Sequence, residues 1–417
     1  MRDTAPAAGT PATPDSPPAI LRHPPFALFW FARVGSTAAY HMQAVAIGWQ
    51  VYALTGSALD LGLIGLVQFL PVTVLTFVAG PLADRYERKI IASLCQLVHG
   101  ACAVMLTLGT LGGWLGVGGI FAVVAVVGAA RAFEAPTMAA LVPGLVPSAL
   151  LPRATAWSAS ANRTAQIVGP ALGGLLYGIA PVIAFGTAVT LFWTAAILST
   201  LIRANRSGTS RQPITLKSLF GGIAYVRAQP VLLGTLSLDL FAVLLGGAVA
   251  LLPIFARDIL GTGPWGLGVL RASPALGALA MSVWLAHHPL QHRVGRILFA
   301  VVIVFGLATM AFGVSTSLPL SMAALATLGA ADVVSVVIRF SLVQLNTPDA
   351  MRGRVSALNA LFIGTSNQLG DFESGVVAAL LGAVPAVLLG GAGTVAVALL
   401  WMWLFPQLRR VDRLAEV

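Results

Sequence analysis

The chain has 417 residues, of which 58% are hydrophobic and only 9% are Asp, Glu, Lys or Arg, so a water-soluble fold would lack the polar side chains to cover its core. Its net charge is +10, yet no soluble segment gathers Lys and Arg on one face, which excludes a nucleic-acid partner and leaves lipid as the solvent. Continuous apolar runs of roughly 20 residues, without period-two alternation, call for membrane-spanning helices and exclude a barrel.

Residues 1–24 come first, rich in Pro, Ala and Thr and without the apolar stretch of a cleaved signal, so a disordered tail retained on the protein is expected. Twelve spans are predicted next, at 26–54, 58–83, 90–111, 115–140, 153–179, 181–203, 231–256, 265–287, 294–315, 318–344, 354–381 and 383–405. An even number of spans puts both termini on one side. The connections after even-numbered spans carry Arg85, Arg88, Lys89, Arg153, Arg203, Arg206, Lys217, Arg293, Arg296, Arg352 and Arg354, whereas Arg257 is the one basic residue of the opposite connections. By the positive-inside rule both termini are cytoplasmic, and most of the +10 charge is a topological signal.

Sliding the sequence on itself by 201 positions sets Arg153 on Arg354, Gly169 on Gly370 and Gly174 on Gly375 without a gap. An offset of 208 sets Pro81, Leu82, Arg85 and Arg88 on Pro289, Leu290, Arg293 and Arg296. The expected architecture is therefore an all-α integral membrane protein of twelve helices in two pseudo-symmetric six-helix halves, 25–203 and 231–406. A cytoplasmic linker at 204–230 joins them and a tail follows at 407–417.

Several residues invite chemical readings. Cys95 and Cys102 lie seven apart in one run, a spacing closed to a disulfide, and read as packing. His287, His288 and His292 sit together at a helix end, where a metal is the weaker reading. The charged residues Arg33, Arg131, Glu134, Arg163, Asp239, Arg271, Asp332, Arg339, Asp371 and Glu373 all fall within predicted spans. An unpaired charge there costs at least about 2.5 kcal/mol, so each must pair, face water or change protonation. Arg131 and Glu134 are three apart on one helix and can pair directly, which leaves structural and functional roles for Glu134 equally open. His41 and Gln50 add polar groups to the first span, where a lone His is usually a packed, hydrogen-bonded residue.

The stretch GPLADRYERK (80–89) carries five charges between spans 2 and 3 and resembles the signature loop of the major facilitator superfamily, G-x-L-x-D-R-x-G-R-[RK], with Glu87 where Gly is usual. AQIVGPALGG (165–174) is similar to that superfamily's antiporter motif. LTGSALDLGLIGLVQFLP (54–71), APTMAALVPGLVP (135–147) and RGRVSALN (352–359) look like its exporter branch of enterobactin exporters and macrolide efflux proteins.

The resemblance implies a cytoplasmic gate at Gly80, Asp84, Arg85, Arg88 and Lys89, with Asp84 and Arg88 bracing span 2 against span 11. It implies a helix-packing motif at Gly169, Pro170, Gly173 and Gly174. It further implies that Arg131, Glu134, Asp239, Asp332, Asp371 and Glu373 are candidates for proton coupling or for lining a cavity. The function it implies is a monomeric, proton-coupled exporter of an amphiphilic small molecule (a siderophore, antibiotic or other drug-like compound) in the bacterial inner membrane, with no cofactor and no resident metal. A transporter-like receptor or scaffold and a metal-ion exporter are the alternatives. An intramembrane enzyme lacks support, since no nucleophile pair or phosphate-cradling loop occurs.

The charge asymmetry gives a topology test. A reporter active only outside the cytoplasm is expected to be silent when fused after Leu216 and active after Thr262; the reverse pattern would overturn the orientation.

Overall fold

The structure, a computed structural model, describes residues 17–203 and 216–413, except for the side chains of residues 17–19, 77, 78, 80–85, 216–220, 349 and 350. The expected tail thus lies largely outside the described residues, as do 204–215 of the expected linker. Pro17–Arg22 forms a turn of 3-10 helix whose Ile20 is buried against Phe26 and Phe29.

The helices are α1 (Pro24–Thr55), α2 (Ala58–Arg85), α3 (Arg88–Leu111), α4 (Val117–Leu141), α5 (Leu151–Ile179), α6 (Pro181–Leu201), α7 (Leu216–Ala228), α8 (Pro230–Leu245), α9 (Leu252–Ile254), α10 (Gly263–His287), α11 (Val294–Val314), α12 (Leu318–Leu345), α13 (Asp349–Leu381), α14 (Ala383–Leu404) and α15 (Pro406–Arg410). Prolines in the first turns of α1, α5, α6, α8, α10 and α12 occupy positions whose backbone N–H has no helical partner in any case. Gly56, at φ 62°, ends α1 in the left-handed conformation that favours glycine.

Among the described residues nine helical segments are long and apolar enough to cross a membrane. The helices α1, α5 and α13, of 32, 29 and 33 residues, have the length and fall short in composition, because polar side chains interrupt their apolar runs. Those polar side chains mark helices that border the interior of the molecule.

The seventh predicted span is broken. After α8 the chain passes Gly246 and Gly247, a 3-10 turn at Ala248–Leu251, the short α9 and a π turn at Phe255–Ile259. The break follows from a close approach, since a Cβ at Gly247 would lie 2.4 Å from the Gly370 carbonyl oxygen on α13.

Helices α1–α6 pack on one another, chiefly α3 on α6 and α4, α1 on α5 and α6, and α2 on α4. Helices α8–α14 do the same, through α10 on α12, α11 on α12 and α14, and α8 on α13 and α14. The two groups meet along α2–α13 and α5–α10. In the first seam a Cβ at Gly62 would lie 2.9 Å from the Gly375 Cα, and in the second a Cβ at Gly174 would lie 2.7 Å from the Gly268 Cα. Gly174 and Gly375 are matched by the 201-residue offset, so the repeat places the same small residue at pseudo-equivalent crossings. A core that draws Tyr52 and Leu61 together with Leu251, Phe255 and Leu267 fills the same end of the bundle.

At the other end α7 lies against α13 and α8. The C-terminal segment turns back onto the α10–α11 loop: Gly295 N–H donates to the Val411 carbonyl at 3.0 Å, and Leu408 and Val411 are buried. His292 Nδ1 meets Asp412 Oδ2 at 3.1 Å and Arg293 N–H donates to Oδ1 at 3.0 Å. These contacts hold the exposed Asp412 carboxyl below the usual carboxylate range. Any stability it adds is present above about pH 4 and is lost as the pH falls through the lowered value.

The seams carry a prediction. Gly174→Val is expected to overpack the α5–α10 crossing and to lower stability by about 1–3 kcal/mol, read as a fall in melting temperature in detergent; an unchanged melting temperature would show that the crossing has room for a side chain.

Candidate functional site

Between the two groups lies a cavity of about 200 Å³. Helix α1 contributes Tyr40, His41, Gln43 and Ile47, α2 contributes Leu61, Ile64 and Gln68, and α4 contributes Val124 and Val127. The other wall comes from Ala250 and Pro253 of the broken span, Arg271 of α10, and Gln368 and Asp371 of α13. Apolar branched side chains come mainly from the first group, and the acid and base from the second. Arg271 reaches across to α1, where a Cβ at Gly48 would lie 3.6 Å from its Nη1. Asp371 sits against α2, its own Cβ 3.0 Å from where a Cβ on Gly65 would be. The cavity is therefore amphiphilic, with opposite charges on its floor just inside the glycine seams.

Beyond that floor the end of α1 is tied to the broken span. Tyr52 donates its hydroxyl hydrogen to Asp258, Arg257 Nη1 donates to the Tyr52 carbonyl at 3.3 Å, and its guanidinium lies 5.5 Å from the Tyr52 ring centre. At the opposite end of α5 the polar residues Arg153, Thr155, Ser160, Arg163 and Thr164 are exposed.

Two buried charge clusters flank the cavity. In the second group Arg339, 4% exposed, pairs with Asp239, and its Nε donates to Ser335 Oγ at 3.1 Å. Asp332 lines a cleft of about 20 Å³ together with Asp239 and Ser335, so the structure brings these two carboxylates together. In the first group Arg131 Nη1 meets Glu134 Oε2 at 3.5 Å, the direct pair that the i,i+3 spacing allows. The same oxygen lies 3.4 Å from His99 Nε2 on α3. The Arg131 guanidinium also lies 4.4 Å from the Tyr40 ring centre, and Gln68 Nε2 donates to the Tyr40 hydroxyl.

The chain matches the family described as transmembrane secretion effector over residues 15–416. It is 28% identical over 422 residues to an enterobactin exporter, EntS, of Citrobacter koseri, covering 94% of both chains. It is 27% identical over 417 residues to the EntS of Escherichia coli O1:K1 / APEC, again over 94% of both. The chain belongs to the major facilitator superfamily. Among solved structures it resembles a bacterial homologue of the iron transporter ferroportin in an inward-facing state, with TM-score 0.68, 18% identity, and coverage of 94% of this chain and 100% of that one. It also resembles the nucleoside transporter NupG, with TM-score 0.67, 14% identity, and coverage of 91% and 99%. At such identities these two show the fold alone. The protein is a transporter rather than an enzyme, and a multi-pass protein of the bacterial inner membrane that handles a small molecule.

Against this superfamily frame the candidate residues fall into three places. Arg131, Glu134, Asp239, Asp332 and Asp371 lie in the two clusters or on the cavity floor. Glu373 lies outside the cavity lining, with Ser374 Oγ 3.5 Å from its Oε2. Gly80 lies near the end of α2, and the side chains of Asp84 and Arg85 lie outside what the structure describes. Arg88 Nη1 donates to the Ala140 carbonyl at 3.0 Å, so it caps the last turn of α4 inside the first group. Lys89 is half-buried beside it on α3. In the antiporter motif, Gly169 and Gly173 admit the α1 backbone at Ala38 and Met42, Gly174 admits α10, and Pro170 is buried between them. Arg163 donates to Gln166 at 3.2 Å, and His41 lines the cavity rather than packing in apolar surroundings.

His99, Tyr40, Gln68 and Gln368 escaped sequence reasoning, because a search for charge passes over neutral polar residues in apolar runs. The available signal was their polarity at membrane depth.

The Asp239–Arg339 pair gives a stability test. Arg339→Ala strands a buried carboxylate and should lower stability by about 3–5 kcal/mol, read as a fall in melting temperature in detergent. Asp239→Leu combined with Arg339→Met should recover most of the loss; a double variant as unstable as Arg339→Ala would show that the pair is not what stabilises α8 against α12.

Proposed function

We propose that this protein is a proton-driven exporter that moves an amphiphilic small molecule, siderophore-like or antibiotic-like, out of the cytoplasm by alternating access. The observation that carries the reading is the cavity, where apolar side chains of α1, α2 and α4, interspersed with Tyr40, His41, Gln43 and Gln68, face an Arg271–Asp371 floor supplied by the other helix group. Such a lining suits a compound with an apolar body and a few polar groups. The similarity to enterobactin exporters supports export and a siderophore-like cargo.

In this reading the structure is the inward-facing state. The glycine seams and the Tyr52–Asp258 link close the outer end, and the exposed polar residues of α5 face water at the inner end. The chain works as two halves, 25–203 and 231–406, joined by the 204–230 segment, with both termini cytoplasmic. Rocking one half on the other exchanges the closed end. Asp84 braces α2 against α13 when the inner end closes. In this reading the unit is a monomer. Buried acids with neighbouring bases supply the coupling: a carboxylate in hydrocarbon holds a proton or a cation, and cargo that displaces the cation makes room for the proton.

Proteoliposomes test this. Asp332→Asn or Asp239→Asn is expected to reduce pH-gradient-driven efflux of a catecholate siderophore to the level of protein-free vesicles while leaving exchange without a gradient. Gradient-driven efflux intact in both variants would place the coupling elsewhere, and no exchange by the wild type would sink a siderophore-like cargo.

A further inference from the structure

We infer that His99 and Glu134 form a proton-binding station inside the first helix group and that Arg131 is the cation that trades places with the proton. The inference rests on the proton-driven reading and gives it a location. His99 is fully buried on α3, stacked on the Phe192 ring of α6 at 5.1 Å between centres, and faces Glu134 Oε2 at 3.4 Å. Among the described residues neither ring nitrogen has a well-formed hydrogen-bond partner, and Glu134, with the Ser36 hydroxyl beside it, leaves Oε1 without a well-formed one. A core histidine serving only to pack would have at least one nitrogen satisfied. This ring instead combines a stacked, fixed plane with spare bonding capacity beside a buried carboxylate.

Charge decides what the site does. The Glu134 side chain is 4% exposed, and a carboxylate so deep needs a compensating positive charge. Arg131 at 3.5 Å supplies it in this state. When Arg131 withdraws, one proton taken up by the His99–Glu134 pair restores neutrality, and that proton leaves when the guanidinium returns. Both states carry the same net charge, so the exchange needs no uncompensated ion in hydrocarbon.

Arg131 also has somewhere to go. It already rests on the Tyr40 ring, Tyr40 is held by Gln68, and Tyr40 and Gln68 both line the cavity. A cargo that moves Tyr40 therefore moves the cation, and occupancy of the cavity reaches the proton station through one aromatic contact. Other charged or titratable groups surround the station. Helix α1 supplies Arg33, stacked over Phe29, and His41 near Arg131; α3 supplies Cys95; α6 presents Phe192, which carries no charge.

The test reads conformation and needs no cargo. Spin labels on Ile183→Cys and Leu320→Cys, at the outer ends of α6 and α12, report the open-to-closed ratio in nanodiscs between pH 5 and 9. In the wild type that ratio should change with pH, by up to about tenfold per pH unit for one linked proton. His99→Gln is expected to flatten the dependence while both conformers persist, a result that loss of packing alone would not give. Glu134→Gln, which keeps the side-chain shape, should flatten it too and serves if His99→Gln does not reach the membrane. A wild-type pH profile in either variant overturns the inference and leaves proton coupling at Asp239, Asp332 or Asp371. A wild type without pH dependence overturns the proton-driven reading and this station with it.

Discussion

Hydrocarbon offers a charged side chain nothing to bond with except another part of the protein, and the interior of this molecule is arranged around that constraint. Arg339 closes on Asp239, Arg131 on Glu134, and Arg271 stands with Asp371 on the floor of a cavity. Each pairing fixes how two helices face each other, or which face one helix turns inward. The charges are thus both the least favourable residues to bury and the ones that fix helix orientation. The hydrophobic surface cannot do this, because lipid tails are as apolar as Leu and leave helix rotation undetermined.

Close backbone contact supplies what charge does not. Along α2–α13 and α5–α10 glycine faces glycine, so at these crossings the backbones of the two helix groups touch with no side chain between them. A smooth seam of this kind can part and re-form with little side-chain rearrangement, whereas the large buried Phe and Leu side chains within each group hold that group together. Rigid groups with smooth seams between them are what a rocking motion requires. The break in the helix after α8 belongs to the same design, since it leaves a short, irregular segment where Tyr52 can be held by Asp258 and Arg257.

The cavity and the charge clusters lie close enough to influence one another. Tyr40 is wall to the cavity and platform to Arg131, so a single ring belongs to both. In the second group the Asp239–Asp332 cleft opens beside the buried Arg339, again placing carboxylates within reach of one guanidinium. The two groups therefore share a theme, buried acids gathered around one cation, although the offset that relates them sets Arg131 on Asp332. Pseudo-symmetry has kept the depth of the charges and exchanged their sign.

The sequence alone determined the helical class, the repeat and the depth of each charge, because hydropathy, loop charge and residue spacing are properties of the chain read in one dimension. The i,i+3 contact of Arg131 with Glu134 was legible for the same reason, being local to one helix. So was the family, whose loops stand in the sequence in order. Partners from distant helices were not legible: that His99 meets Glu134, that Gln68 holds Tyr40, or that Arg88 caps α4. The broken seventh span was hidden too, since Gly246–Gly247 sits in an apolar run and the break depends on how closely α13 approaches. Periodicity gives a residue's height and face on its own helix, but which helix stands opposite follows from packing all such faces at once, and only the tertiary structure decides that.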